Sequence, residues 1–292
     1  DRRSRVKSNF FTAVLLPAAL FVIMLGLGLS LTRDDFRRVV VMPKPVIVGL
    51  LCQMFLLPAV CFGIAVAFAL PPALAVGLML LAASPGGATA NLYSHLARGD
   101  VALNITLTAV NSVLSLVTLP FIVNFSLVHF MGEGKVIPLQ FGKMMSVVGM
   151  VLVPVGIGMA IRGWRPQVSA RLERPVKILS AVFLLVVIAG AVAKERANIV
   201  DFFQQVGLAA LVFNLASIAV GYFVPLLVRL PRRQAIAIGM EIGIHNGTLA
   251  IAIADTILGS GTMAIPPAIY SLIMFFTAGA FGYLVHRGAR PA

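Results

Sequence analysis

A carboxylate, an imidazole and an amide lie close together in Glu241-Ile-Gly-Ile-His245-Asn246-Gly247, and the flanking sequence is as apolar as lipid. An ionisable side chain inside hydrocarbon costs about 2.5–3.5 kcal/mol on insertion scales, so such a group is rarely left without a partner. No Lys or Arg lies near the centre of an apolar segment, which disfavours a structural ion pair for Glu241. We therefore expect Glu241 to bind a cation.

Two further ionisable residues follow Glu241 in the same apolar segment. His245 comes four residues later and would share the helix face of Glu241. Three roles are open to it: a cation ligand, a proton carrier, or a hydrogen-bond partner of Glu241. Asp255 lies near the end of the segment, and we expect it to be solvated.

A second polar stretch, Ser84-Pro85-Gly86-Gly87-Ala88-Thr89-Ala90-Asn91, interrupts another apolar segment. Proline removes a helical hydrogen bond and paired glycines weaken the helix, so we expect a break near Pro85. The ends of a broken helix expose N–H groups, which attract anions, and carbonyl oxygens, which attract hard cations.

The remaining polar side chains in apolar segments are mostly amides and hydroxyls. Asn104, Thr108 and Asn111 are spaced to share one helix face, and Gln53 lies alone among apolar neighbours. Each of Thr108, Asn111 and Gln53 could instead only form a hydrogen bond to a neighbouring helix. Asn104, Thr108 and Gln53 add oxygen donors to those of the two interrupted segments.

The composition predicts an all-α polytopic membrane protein. Of the 292 residues, 60% are hydrophobic and 11% are charged, whereas about a quarter of the residues in soluble domains are charged. The apolar stretches are long enough to cross a bilayer as helices. The net charge of +13 comes from Lys and Arg between these stretches, which is the pattern of basic membrane loops and not of a nucleic-acid groove.

We predict one transmembrane domain over residues 1–292, and the spans are nine in number: 10–32, 45–68, 73–96, 101–129, 137–161, 175–194, 204–229, 233–258 and 262–286. The third and eighth are the interrupted ones, each in the middle of a three-span group. Two interrupted spans at matching positions indicate an inverted-repeat transporter whose site lies where they meet. Basic residues favour an outer N-terminus and a cytoplasmic C-terminus, although the basic N-terminal tail violates the rule.

These motifs resemble those of the bile acid:sodium symporter family. Pro85-Gly86-Gly87 through Asn91, followed by Leu96-Ala-Arg98-Gly99-Asp100-Val101-Ala-Leu-Asn104 and Thr108, is similar to the family's PGG…SN…LA-(R/K)-G-(D/N)-VALS…T run. Glu241-Ile-Gly-Ile-His245-Asn246 is similar to its E-(V/I)-G-(M/I)-Q-N motif. The resemblance covers almost the whole chain and suggests a bacterial homologue of the apical sodium-dependent bile acid transporter, located in the inner membrane.

The resemblance implies two units that move against each other to alternate access. A core of two inverted three-helix repeats would comprise about 45–129 and 204–286, and a panel would comprise about 10–32 and 137–194. Sodium would bind within the core. An organic anion, bile acid-like or a small carboxylate, would bind between core and panel.

The same resemblance implies the site residues. Those matching a first sodium site offer oxygens: Asn91, Ala90 through its carbonyl, Asn104, Thr108 and Glu241. Those of a second site are Gln53, Glu241, the carbonyls of Ile242 and Ile244, and His245. Because His245 replaces the family's glutamine and nitrogen is a poor sodium ligand, we expect one sodium site and a weakened or proton-modulated second one. The residues expected to face the substrate are Gly87, Ala88, Thr89, Asn246 and Gly247.

Other functions are less well supported by the sequence. A proton-coupled or uncoupled carrier would use Glu241 and His245 as its relay, a channel would need a continuous polar path, and a membrane sensor would transport nothing. The sequence contains no Walker loop, zinc-protease motif or nucleophile elbow. We therefore predict a sodium-coupled symporter and not an enzyme.

Overall fold

The computed structural model describes residues 14–132 and 141–287, and this part of the chain is helical without any strand. Its helices are α1 (Leu16–Ser30), α2 (Arg33–Val41), α3 (Pro43–Ala67), α4 (Pro72–Ala83), α5 (Ala90–Leu96), α6 (Val101–Met131), α7 (Phe141–Trp164), α8 (Pro166–Lys194), α9 (Ile199–Leu227), α10 (Arg232–Gly243), α11 (Gly247–Ile257) and α12 (Gly261–Arg287). Residues 52–56 of α3 and 253–257 of α11 form π-helical turns. The predicted all-α class is confirmed for the described ranges.

Length and composition make five of these helices able to cross a membrane: α3, α6, α8, α9 and α12. The pair α1 and α2, bent by 64°, would be a sixth. Large apolar side chains such as Phe121, Leu227 and Phe276 are mostly exposed on long helices, as expected of surfaces that face lipid and not water. These features indicate an integral membrane protein. The count of nine spans stays a prediction, and residues 10–13 and 137–140 of the first and fifth spans lie outside the described residues.

Both interruptions predicted from the sequence are present. Helix α4 ends at Ala83, Ser84 is extended with φ −76° and ψ 151°, and α5 begins only at Ala90. Helix α10 ends at Gly243, Ile244 is extended, and α11 begins at Gly247. The break near Pro85 is therefore confirmed, and the second segment is broken in the same manner.

The two breaks pair with each other. Gly86 and His245 form an antiparallel bridge. The Gly87 N–H donates to the Ile244 carbonyl at 2.6 Å, and the Asn246 N–H donates to the Pro85 carbonyl at 2.8 Å. Backbone groups freed by a break cannot be satisfied by lipid, so each break supplies partners to the other. The two interrupted segments therefore cross where both are non-helical and hydrogen-bonded to each other, and we call this place the crossing point.

The remaining helices pack around this crossing point. Helix α6 lies against α4 and α10, and α9 lies against α10 and α12. Helices α1, α7 and α8 pack on one another, and α1 approaches α7 so closely that a Cβ on Gly28 would overlap the backbone of Val155. Contacts of α8 with α11 and α12 join this trio to the rest. The division into core and panel stays a prediction.

One span boundary differs from the sequence expectation. The sixth span was expected to begin at residue 175, but α8 begins at Pro166 and carries Pro175 inside it. A proline inside a membrane helix is tolerated where neighbouring groups replace the lost hydrogen bond. Arg171 and Arg174, which precede residue 175, are therefore helical.

Candidate functional site

The Glu241 carboxylate is the most buried acidic group at the crossing point, with 1% of the residue exposed. Helix α6 faces α10 there, so the Thr108 hydroxyl donates to Glu241 Oε2 at 2.6 Å. The other oxygen, Oε1, has no hydrogen-bond partner. A Cβ on Gly86 would overlap this carboxylate, so Glu241 points at the break between α4 and α5.

Three more oxygens predicted to bind a cation are buried without a partner. They are Gln53 Oε1, Asn91 Oδ1 and Asn104 Oδ1. The amide nitrogens are satisfied in two cases, because Gln53 Nε2 donates to the Ser84 carbonyl at 3.0 Å and Asn104 Nδ2 donates to the Ala237 carbonyl at 2.7 Å. Buried polar atoms in native proteins normally have partners. Four unpaired oxygens, including Glu241 Oε1, therefore indicate that a ligand is expected here.

The chemistry of these donors suits a hard cation. The described residues contain no group of three or more His, Cys, Asp or Glu that could hold a metal ion. One carboxylate with amide, hydroxyl and carbonyl oxygens is the ligand type of alkali and alkaline-earth cations, not of soft transition metals. Among the carbonyls, that of Ile244 already accepts the Gly87 N–H. That of Gly243 accepts from Asn214 and Tyr270, both at 3.0 Å.

His245 does not share a helix face with Glu241, contrary to the sequence expectation. Because α10 ends at Gly243, His245 belongs to the extended break. Its Nδ1 lies 3.4 Å from the Ser84 carbonyl and 3.5 Å from Gln53 Nε2, while its Nε2 has no partner. The ring packs against Phe213 and Tyr270. The interpretation of His245 as a hydrogen-bond partner of Glu241 is therefore wrong.

A cavity of about 300 Å³ adjoins the crossing point. Its lining from the two breaks includes all the residues expected to face the substrate: Gly87, Ala88, Thr89, Asn246 and Gly247. Helices α1 and α8 also line the cavity, with Ser30, Lys177 and Ser180 among their residues. The structure thus brings the predicted residues to one place, while their binding of a substrate stays a prediction.

The sequence did not identify the α8 wall of this cavity. Lys177 and Ser180 lie near the start of an apolar span that follows a basic stretch, and no motif distinguishes them there. Their spacing of three residues puts them on one helix face, but which face of α8 meets the cavity depends on packing against α1. Asn214 and Tyr270, which hold the Gly243 carbonyl, were missed for the same reason.

Two further expectations met different outcomes. Asp255 was expected to be solvated, but its side chain is 2% exposed and forms an ion pair with Lys194. The partner comes from the last residue of α8, which no local pattern around Asp255 reveals.

Asn111 is buried, and its Nδ2 has no partner, so that nitrogen makes no hydrogen bond to a neighbouring helix.

Residues 17–202 match the family model described as the Sodium Bile acid symporter family. A Bacillus subtilis protein named uncharacterized sodium-dependent transporter YocS is 28% identical over 254 residues, which cover 87% of this chain and 77% of that protein.

Relatives occur in plants and animals as well. The Arabidopsis thaliana protein named probable sodium/metabolite cotransporter BASS1, chloroplastic, is 28% identical over 265 residues, covering 90% of this chain and 65% of that protein. The Homo sapiens P3 protein is 29% identical over 240 residues, covering 82% of this chain and 50% of that protein. The chain therefore spans less than two thirds of the length of these two relatives.

Proposed function

Since the chain belongs to the sodium bile acid symporter family, we propose that it is a sodium-coupled symporter of an organic anion. The observation that carries this proposal is the set of four buried oxygens without partners: Gln53 Oε1, Asn91 Oδ1, Asn104 Oδ1 and Glu241 Oε1. The relatives named as sodium-dependent transporters support sodium as the cation.

Sodium at the first site would be held by Asn91, Ala90, Asn104, Thr108 and Glu241. The Thr108 hydroxyl is already at the carboxylate, and its oxygen retains lone pairs for a cation. A bound cation offsets the charge of Glu241 and connects α5, α6 and α10. Cation binding would therefore remove the free-energy penalty of an uncompensated carboxylate in a low-dielectric interior.

The second site would use Gln53, Glu241 and the carbonyls of Ile242 and Ile244, with His245 beside them. Gln53 Nε2 faces His245 Nδ1. An imidazole nitrogen therefore lies where a second sodium would need an oxygen ligand. We therefore expect one strong sodium site and a second sodium site that is weakened or modulated by protons. Uptake with a Hill coefficient near two for sodium at pH 8 would contradict this.

Transport would proceed by alternating access between the two predicted units. The core would contain α3–α6 and α9–α12 and the panel α1, α7 and α8, with α4–α5 and α10–α11 each counted as one interrupted span of nine. The anion would bind in the cavity between them, facing Gly87, Ala88, Thr89, Asn246 and Gly247. Coupling arises because sodium binds the states with different affinity. We place the protein in a plasma membrane, with the N-terminus outside and the C-terminus cytoplasmic.

The test is uptake into proteoliposomes with sodium or with choline at fixed pH, using pantoate and taurocholate as probes. Glu241→Gln and Asn91→Ala should each abolish the sodium-dependent component, because each removes an oxygen ligand or its charge. Asn198→Ala, on an exposed connection away from the cavity, is the matched control and should transport normally. Full sodium coupling in Glu241→Gln would overturn the assignment.

A proton-coupled carrier of the same fold is the second candidate. It is favoured by one observation: His245 lines the cavity and its Nε2 has no partner. In that case, choline would replace sodium without loss of uptake, and an imposed pH gradient would drive accumulation instead.

A further inference from the structure

We propose that Lys177 and Ser180 on α8 form the subsite that binds the carboxylate of the transported anion. This inference rests on the proposed function and assigns one end of its substrate. Both residues line the same cavity as Gly87 and Thr89. Residues three apart on a helix share one face, so Lys177 and Ser180 lie on neighbouring turns of α8. The Lys177 ammonium is directed towards Glu173 in this structure and would turn towards Ser180 when a carboxylate binds.

The Ser180 hydroxyl is the part of this pair that signals a missing ligand. Ser180 Oγ is buried and has no hydrogen-bond partner. Two other polar groups of the cavity are already engaged: the Ser30 hydroxyl donates to the Leu27 carbonyl at 2.7 Å, and Asn246 Oδ1 accepts from the Leu249 N–H at 3.1 Å. On the side of the breaks, His245 Nε2 also lacks a partner. An unsatisfied buried hydroxyl is destabilising, and a bound acceptor would remove that defect.

Lys177 supplies the charge. It is the one Lys or Arg among the residues that line this cavity. Its Nζ lies 2.6 Å from Oε1 of Glu173, one turn earlier, and the two side chains are 57% and 31% exposed. Because exposed ion pairs contribute little, a substrate carboxylate can replace the Glu173 carboxylate readily. The substrate would then accept from Lys177 Nζ with one oxygen and from Ser180 Oγ with the other.

The rest of the cavity defines the body of the substrate. Ile23, Ile178, Leu184 and Met274 form apolar walls. A volume of about 300 Å³ is at the lower end of the range of about 300–1,000 Å³ for ligand pockets. A small monocarboxylate with a short apolar body therefore fits better than a sterol conjugate. Such a molecule would contact α8 with its carboxylate and the backbone of the breaks with its other end.

The experiment measures KM for sodium-dependent uptake of pantoate and of its neutral amide. Lys177→Gln should raise the KM for pantoate about fivefold, as expected for losing an ion pair at a half-exposed lysine. Ser180→Ala should raise it less, and Glu173→Gln should lower it by removing the competitor. Arg174→Gln is the matched control, because Arg174 is a neighbouring cation that does not line this cavity, and it should leave KM unchanged.

The preference for pantoate over its amide separates recognition from a structural defect. Lys177→Gln should bring the ratio of the two uptake efficiencies close to one, whereas Lys177→Arg should retain it. At saturating pantoate, the sodium concentration for half-maximal uptake should not change in any of these variants. An unchanged pantoate preference in Lys177→Gln would overturn the subsite alone. Wild-type protein that takes up neither probe with sodium would count against both the subsite and the proposed function.

Discussion

Gly86 is the residue that makes room for the Glu241 carboxylate. A Cβ at this position would overlap both carboxylate oxygens and the carbon between them, and the backbone of Gly86 is held by its bridge to His245. Gly86→Ala should therefore displace Glu241 and remove the stabilisation that sodium provides. Binding at one hundred times Kd stabilises a protein by about 2.7 kcal/mol, which is a measurable rise in Tm with sodium over choline.

The matched control at this scale is Gly63→Ala. Gly63 lies in α3 with nothing within 4 Å of an added Cβ, and alanine in a helix is favoured over glycine by about 1 kcal/mol. This variant should keep the sodium-dependent rise in Tm. The same rise in Gly86→Ala would show that the carboxylate does not need its present position.

Individual residues of the candidate site were predictable to different degrees. Glu241 could be singled out because a buried charge demands compensation. Helical spacing placed Thr108 on one face with Asn104, but only the family resemblance implied that this face meets Glu241. The partner of Asp255 could not be predicted, since Lys194 is the last residue of another helix. His245 was misplaced because helical spacing was extended past Gly243, where the helix has already ended.

At the scale of elements, proline and paired glycines predicted where the helices break but not what satisfies the broken ends. The pairing of Gly87 with Ile244 and of Asn246 with Pro85 joins segments that are far apart in sequence. Backbone groups buried away from water must find partners, so some pairing was required. Its antiparallel register depends on how α4 and α10 approach each other.

The ion pair between Lys194 and Asp255 connects α8 to α11 and should contribute to stability. Breaking a buried pair by removing one partner costs about 3–5 kcal/mol, and the low end applies because the Lys194 side chain is 33% exposed. Lys194→Met should therefore lower the free energy of unfolding by about 3 kcal/mol, measured by denaturation in detergent.

A double-mutant cycle checks this pair. Lys194→Met with Asp255→Leu should recover most of the loss, because no unpaired charge remains buried. Lys44→Met, at an exposed lysine without an ion pair among the described residues, should change stability little. Asp255→Leu alone completes the cycle. If the loss in the double variant equalled the sum of the two single losses, the two charges would not interact.

At the scale of the whole molecule, the charge distribution predicts which side of the membrane the cavity faces. Arg162, Arg165, Arg171 and Arg174 surround the connection between α7 and α8, and such clusters stay on the cytoplasmic side. Ser30 is the last residue of α1, next to the basic α2, and Lys177 follows the arginine cluster in the first half of α8. The cavity should therefore be reached from the cytoplasm.

Labelling with a membrane-impermeant maleimide tests this orientation. The two native cysteines, Cys52 and Cys61, are 3% and 0% exposed, so they should react little. Ala197→Cys, on the exposed connection after α8, should be labelled in intact cells. Trp164→Cys, at a position where the native side chain is 84% exposed, should be labelled only after the membrane is opened. The reverse pattern would place the arginine cluster outside, and with it the mouth of the cavity.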